Sequence, residues 1–302
     1  MQLSDLLHPR RFFALRAKRK AKARAFGMTS WHEQHWLRTY AARDYTGRGA
    51  IVDLGCFLGA TTIALAEGLA LNPKRHGKQI HAYDLFRWSK GFELWAKDKG
   101  LAGHFADGES FLPEFLKRIE RWRDYVAVHE EDLANAQWNH GPIELLLIDA
   151  MKTAEAAAAI TRAFFPHLIM RAGYVAHQDF AHAYTPWVHL VAYRLRDYFS
   201  VAADVPSSGT TVFWCEKQVP AAAADMNLSF ATIDEQEIES AFDYSLDLVP
   251  DEKKANIIAA KAMAYRERGD LPRARDILAG MPEGTPSLAG ELGQIKKLIG
   301  RA

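Results

Sequence analysis

Cysteine is scarce, with only Cys56 and Cys215 in 302 residues, which excludes a disulfide framework and a four-thiolate zinc site. Both are expected as small buried hydrophobes in a reducing, cytoplasmic setting. No apolar run reaches the ~20 residues needed to cross a bilayer. The opening stretch has its charges after its short apolar segment, the wrong order for a secretion signal. Charge of one sign is lacking too: 38 Lys and Arg face 37 Asp and Glu, so no global field draws the chain to nucleic acid. What remains is 49% hydrophobic and 25% charged, a composition that folds.

Three zones separate by composition. Residues 1–28 form a basic arm, with Arg10, Arg11, Arg16, Lys18, Arg19, Lys20, Lys22 and Arg24 against the single acid Asp5. A helix after Pro9 would offer that cationic face to a membrane surface or to phosphates, or lie solvated against the main domain. Residues 29–218 alternate short apolar runs with helical stretches. Strands are expected over 49–53, 79–84, 125–129, 143–149, 173–177 and 210–215. Helices are expected over 60–71, 154–170 and 186–198. Continuous apolar strands alternating with helices predict an α/β fold, a doubly wound, mostly parallel sheet covered on both faces. The aromatic run from Phe86 to Trp122 is either a wall beside a ligand or internal packing.

After a Val219-Pro220-Ala linker, residues 225–302 make a small helical segment. Helices over 255–265 and 271–278 meet at Gly269-Asp270, a hairpin that docks on the main domain or serves self-association into a homo-oligomer. Ala262, Tyr265, Gly269, Ala274, Leu278 and Pro286 resemble one tetratricopeptide unit, and such arrays need about three repeats to stand alone.

The sharpest local signal is Ile51-Val-Asp53-Leu-Gly55-Cys56-Phe57-Leu-Gly59-Ala-Thr61-Thr62. A strand runs into a tight turn and a helix, and the two glycines let backbone approach a ligand. The spacing is Asp-x-Gly-x-x-x-Gly, which is not the dinucleotide pattern. Asp84, at the end of the next strand, can accept from both hydroxyls of a ribose; its alternative role is a helix N-cap. At the same sheet edge, strand ends place Asp149 with Lys152 three residues on, and His177-Gln178-Asp179.

Val52 to Gly59 followed by His81-Ala-Tyr-Asp84 resembles the first two motifs of class I S-adenosylmethionine-dependent methyltransferases, over roughly residues 29–217. The resemblance implies a Rossmann-like fold with an antiparallel last strand, matched by 207–215. It implies S-adenosylmethionine as cofactor, with Asp53, Gly55 and Gly59 along the methionine part, Asp84 on the ribose and Asp132 near the adenine. Cys56, Phe57, Thr61 and Leu85 are further cofactor-binding candidates, and Asp149 faces the methyl donor. The later strand ends resemble the catechol-type and macrocin-type O-methyltransferases. There the corresponding residues, Asp149, Gln178 and Asp179 here, hold Mg²⁺, although the neutral Gln178 departs from an acidic pair. Lys152 matches the catalytic lysine of the catechol-type enzymes, with His177 and His182 as alternative bases. The expected activity is methyl transfer to a hydroxyl of a small sugar or other polyhydroxylated molecule. The rivals are RNA methylation, a non-catalytic nucleoside-binding adaptor and, more remotely, a nicotinamide-dependent oxidoreductase.

Overall fold

The computed structural model describes residues 25–97, 99, 101, 103–281 and 286–300. Most of the basic arm, including its expected helix after Pro9, lies outside the described residues.

Seven strands form one sheet: β1 (Ala50–Leu54), β2 (Ile80–Asp84), β3 (Val126–Glu130), β4 (Ile143–Ile148), β5 (Tyr174–His177), β6 (Phe199–Asp204) and β7 (Thr211–Cys215). Their order is β3-β2-β1-β4-β5-β7-β6. The first five are mutually parallel, while β7 runs antiparallel to both β5 and β6. This is the expected doubly wound sheet with its reversed last strand. The order turns at β1 and β4, so the carboxyl ends of those strands open a crevice between oppositely directed crossovers.

The pleat sends alternate residues of β1 to opposite faces: Val52 and Leu54 join one apolar cluster, Ile51 the other. One face is covered by α1 (Trp31–Thr39), α2 (Ala60–Leu69) and α4 (Leu112–Arg118). Helix α1 starts at a reciprocal cap, in which Ser30 accepts from the Glu33 amide and Glu33 reaches back to the Ser30 amide. The short α3 (Glu93–Lys97) belongs to the aromatic stretch after β2. There Trp88, Phe105 and Phe111 pack on one another and Phe57 meets Phe92 and Trp95, so this insertion is internal packing.

The other face carries α5 (Ala154–Phe164) and α6 (Trp187–Arg194), then the short α7 (Ala221–Ala224), α8 (Glu235–Leu248), α9 (Asp251–Arg268), α10 (Leu271–Ala279) and α11 (Pro286–Gly300). Gly269 ends α9 with φ of 89°, the left-handed turn expected of it. Ala262, Tyr265, Ala274 and Leu278 are buried in the same cluster as Leu54 and Ile148 of the sheet. Among the described residues no helix is long and apolar enough to cross a membrane.

Two elements depart from expectation. Helix α5 stops at Phe164 rather than running to 170, because Pro166 opens a separate tight turn. Strand β6 begins just after the helix expected to 198, which itself ends at Arg194, and lies at the sheet's edge, where half-buried side chains blur an apolar signature.

Candidate active site

The bend after β1 is built by backbone constraint. Gly55 and Gly59 have φ of 81° and 85°. A Cβ on Gly55 would lie 2.4 Å from the Asp149 carbonyl oxygen, so only glycine lets β1 and β4 approach this closely. Beneath the bend, Asp53 accepts from the Thr61 and Thr62 hydroxyls at 2.8 and 2.7 Å, tying the first turn of α2 to β1. Burial raises the Asp53 carboxyl to about 6, against the two hydroxyls that lower it.

Asp84 faces this bend. Its Oδ2 accepts from the Phe57 amide at 2.8 Å and its Oδ1 from the Phe86 amide at 2.7 Å. It therefore caps no helix. A carboxylate has about four acceptor sites, so each oxygen keeps one for a further donor. Burial raises its pKa, while the backbone donors lower it.

A narrow crevice of about 30 Å³ lies over the bend, lined by Gly55, Cys56, Phe57, Thr61, Asp149 and Gln178 under residues Gly27 to Thr29. Gly27 to Thr29 cover the crevice and set its small volume. Next to it opens a cavity of about 660 Å³ that shares Met28, Asp149 and Gln178 with the crevice. Lys152, Asp179 and His182 line the cavity, as do Lys253, Asn256 and Glu291 from the terminal helices.

Where the two spaces meet, charges are paired tightly. The Lys152 ammonium donates to Asp149 Oδ1 at 2.8 Å and also to Asp179 Oδ2. Gln178 donates its amide to Asp149 Oδ2 at 3.0 Å. Burial would lower Lys152, but Asp149 and Asp179 outweigh it and raise the ammonium above its ordinary value. Burial would also raise Asp179, yet Lys152 and His182 draw it down to about 2. Asp149 goes the other way, pushed well up by burial and by the charge of Asp179.

Several expected roles change. Lys152 is held protonated between two carboxylates, so it cannot serve as the base. Those carboxylates and Gln178 were the expected Mg²⁺ set; here both carboxylates accept from the Lys152 ammonium, and Asp149 also accepts from the Gln178 amide. The site thus already holds a cation, and a divalent ion would have to displace the ammonium to reach these oxygens. His177 is buried on the face away from the cavity, against Phe165, Phe180 and Phe213. Burial lowers it to about 4, and its Nδ1 has no partner, so it is no base for this site. Asp53 is 1% exposed and does not line the crevice; it anchors α2 instead. Leu85 is 51% exposed, and Asp132 is an exposed turn residue accepting from the Ala134 amide; neither lines the crevice.

His182 does line the cavity, its Nε2 3.5 Å from Glu291 Oε1. Sequence reasoning passed over the wall from α9 and α11, above all Asn256. Its amide nitrogen donates to the Ala181 carbonyl at 2.8 Å, whereas its buried Oδ1 has no partner. Glu33, which accepts from Thr210 Oγ1 at 2.6 Å, was missed as well, although its capping-box spacing from Ser30 was legible.

Residues 52–180 match the family model described as a methyltransferase domain. Among curated proteins, none is significantly similar. Among solved structures, the O-methyltransferase NovP is 14% identical, with 64% of this chain and 83% of that chain covered and a TM-score of 0.48. The StiE O-MT fragment of residues 942–1257 is 14% identical over 89% of this chain and 80% of its own, with a TM-score of 0.33. CalO1, a methyltransferase in calicheamicin biosynthesis solved in its SAH-bound form, is 17% identical over 61% and 54%, with a TM-score of 0.32.

Proposed function

We propose, from the premise that residues 52–180 form a methyltransferase domain, that the chain transfers a methyl group from S-adenosylmethionine to a hydroxyl of a small polyhydroxylated acceptor. The observation that carries this reading is the junction at Asp149 and Gln178, where a polar acceptor-sized cavity opens onto the glycine bend. Gly55, Phe57 and Thr61 would hold the methionine part and Asp84 the ribose.

When bound, the cofactor supplies an electrophilic methyl carbon on a sulfonium. The chain's own residues position and deprotonate the acceptor. The Lys152 ammonium, fixed by Asp149 and Asp179, offers a cation to the acceptor oxygen at the place where a metal was expected. Asn256 and Ser208 add polar side chains to the wall, suited to neighbouring hydroxyls. His182 receives the hydroxyl proton, and the Glu291 carboxylate beside it stabilises the resulting imidazolium.

The test is a transfer screen with methyl-tritiated S-adenosylmethionine against sugars, nucleotide-sugars, catechols and RNA. Label is expected in a sugar-type product, with Asp149→Ala reducing transfer about 100-fold or more through lost positioning while cofactor binding persists. Full transfer by Asp149→Ala, or binding of a nicotinamide dinucleotide in preference to S-adenosylmethionine, would overturn the reading.

A further inference from the structure

Away from the cavity, three histidines from separate parts of the chain converge. One ring nitrogen each from His81 of β2, His129 of β3 and His140 of the loop before β4 lies within 4.8 Å of the other two. The two strand residues share a sheet face, because His81 pairs with Ala127 and Tyr83 with His129. His81 Nδ1 and His129 Nε2 are 3.1 Å apart. Two nitrogens on one tetrahedral zinc ion, each bonded at about 2.0–2.1 Å, stand about 3.3 Å apart.

We propose that His81, His129 and His140 form a transition-metal site that takes Zn²⁺, with water in the fourth position. Three imidazoles without a carboxylate select such an ion over Mg²⁺ or Ca²⁺. The rings are held by their neighbours: Tyr83 stacks on His129 with centroids 4.1 Å apart, and Trp138 packs against His81 and His140, each at 5.0 Å. Glu131 Oε1 lies 4.0 Å from His129 Nδ1, on the nitrogen that faces away from His81, where an outer carboxylate orients a ligating ring and raises its basicity. Burial and the neighbouring imidazoles lower His81 to about 4 and lower His129 as well. His140 is exposed and needs only a small ring movement to close the triad.

None of the three lines the crevice or the cavity, so this site is separate from the proposed methyl-transfer centre. Its ion would pin the loop that carries Asp132 onto β2 and the edge strand β3. The competing account is a metal-free hydrogen bond between His81 and His129.

The two accounts separate on titrating chelator-treated full-length protein with Zn²⁺ by calorimetry and with Co²⁺ by visible absorption. One equivalent should bind with submicromolar Kd and raise Tm. His140→Ala, which changes an exposed ring and leaves the fold intact, should weaken binding at least 100-fold, and His129→Gln should do the same, whereas Asp149→Ala should leave it unchanged. Absence of saturable binding overturns the site. So does binding that survives His140→Ala and His129→Gln, or that disappears with Asp149→Ala, since the ion would then be held by the carboxylates at the cavity.

Discussion

Asp84 gives one acceptor site of each carboxylate oxygen to a backbone amide, so its charge fixes the bend at Phe57 and leaves acceptor capacity for the ribose proposed there. Asp84→Asn removes the charge from both. Hydrogen bonds to charged groups contribute roughly 1.5–3 kcal/mol, so the Kd for S-adenosylmethionine should rise about 10- to 100-fold. Calorimetry on the folded variant reads this directly, and an unchanged Kd would remove Asp84 from the cofactor site. Lys152 supports a second expectation. Because its ammonium already bridges Asp149 and Asp179, transfer by the wild-type protein should be indifferent to EDTA. Lys152→Met leaves two acids without their cation, so activity should fall and be partly restored by added Mg²⁺. Loss of activity in EDTA that persists in His140→Ala, which lacks the separate histidine site, would show that the ammonium yields its place to a metal. The identity of these residues is plain in the sequence, but their state is not. Lys152 reads as a base until two acids are seen around it, and His177 reads as one until the pleat turns it inward with Val175 while Gln178 meets the cavity.

Helices α6 and α8 meet through a residue that does not suit its surroundings. His189 is fully buried between Phe180 and Phe242, and neither ring nitrogen has a partner. Burial lowers its pKa from 6.5 to about 3. The folded state therefore binds this proton less readily than the unfolded state does. The stability that the neutral ring permits is complete above about pH 6.5 and is lost as pH falls towards 3. His189→Leu, close in volume, removes an unsatisfied polar group that costs about 1–3 kcal/mol, so it should stabilise the protein at pH 7.5. At pH 4.5 the advantage should grow by about 2–3 kcal/mol. Urea unfolding at the two pH values checks both the sign and the growth; an equal ΔΔG at each would mean that His189 does not titrate with folding. Legibility at this scale follows periodicity. The five parallel strands and α2 announce themselves by apolar runs and glycine turns. Helix α8 was equally readable, since Ile238, Ala241, Phe242 and Ser245 recur at helical spacing, yet its abundant acids obscured that stripe. Strand β6 was not readable, because its pairing with β7 comes from the tertiary fold and most of its side chains are half-buried.

Across the whole molecule, the terminal helices and the sheet share one apolar cluster rather than two that merely touch. Trp187 of α6 packs on Phe230 at 6.3 Å and Tyr193 on Tyr244 at 6.1 Å, while Lys253 of α9 reaches Asp204 of β6 at 2.5 Å and the Thr210 carbonyl at 3.1 Å. The apparent linker after Val219 therefore separates composition zones without separating cores, which composition alone has no means of revealing. Exposing a buried Trp, Leu or Phe costs about 1.5–3 kcal/mol each, and a domain holds only about 5–15 kcal/mol in reserve. Stripping α8 to α11 from α6 uncovers enough such side chains to match that reserve. It also removes Asn256 and Glu291 from the cavity wall. A chain ending at residue 220 should accordingly fail to fold cooperatively, and the full chain should unfold in a single step. Far-UV circular dichroism and tryptophan fluorescence should give coincident denaturation curves for the full chain. Two separated transitions, or a soluble truncated chain with a sharp melt of its own, would show that the sheet needs no cover from the terminal helices, and the cavity wall they supply would then be an addition to a self-sufficient domain.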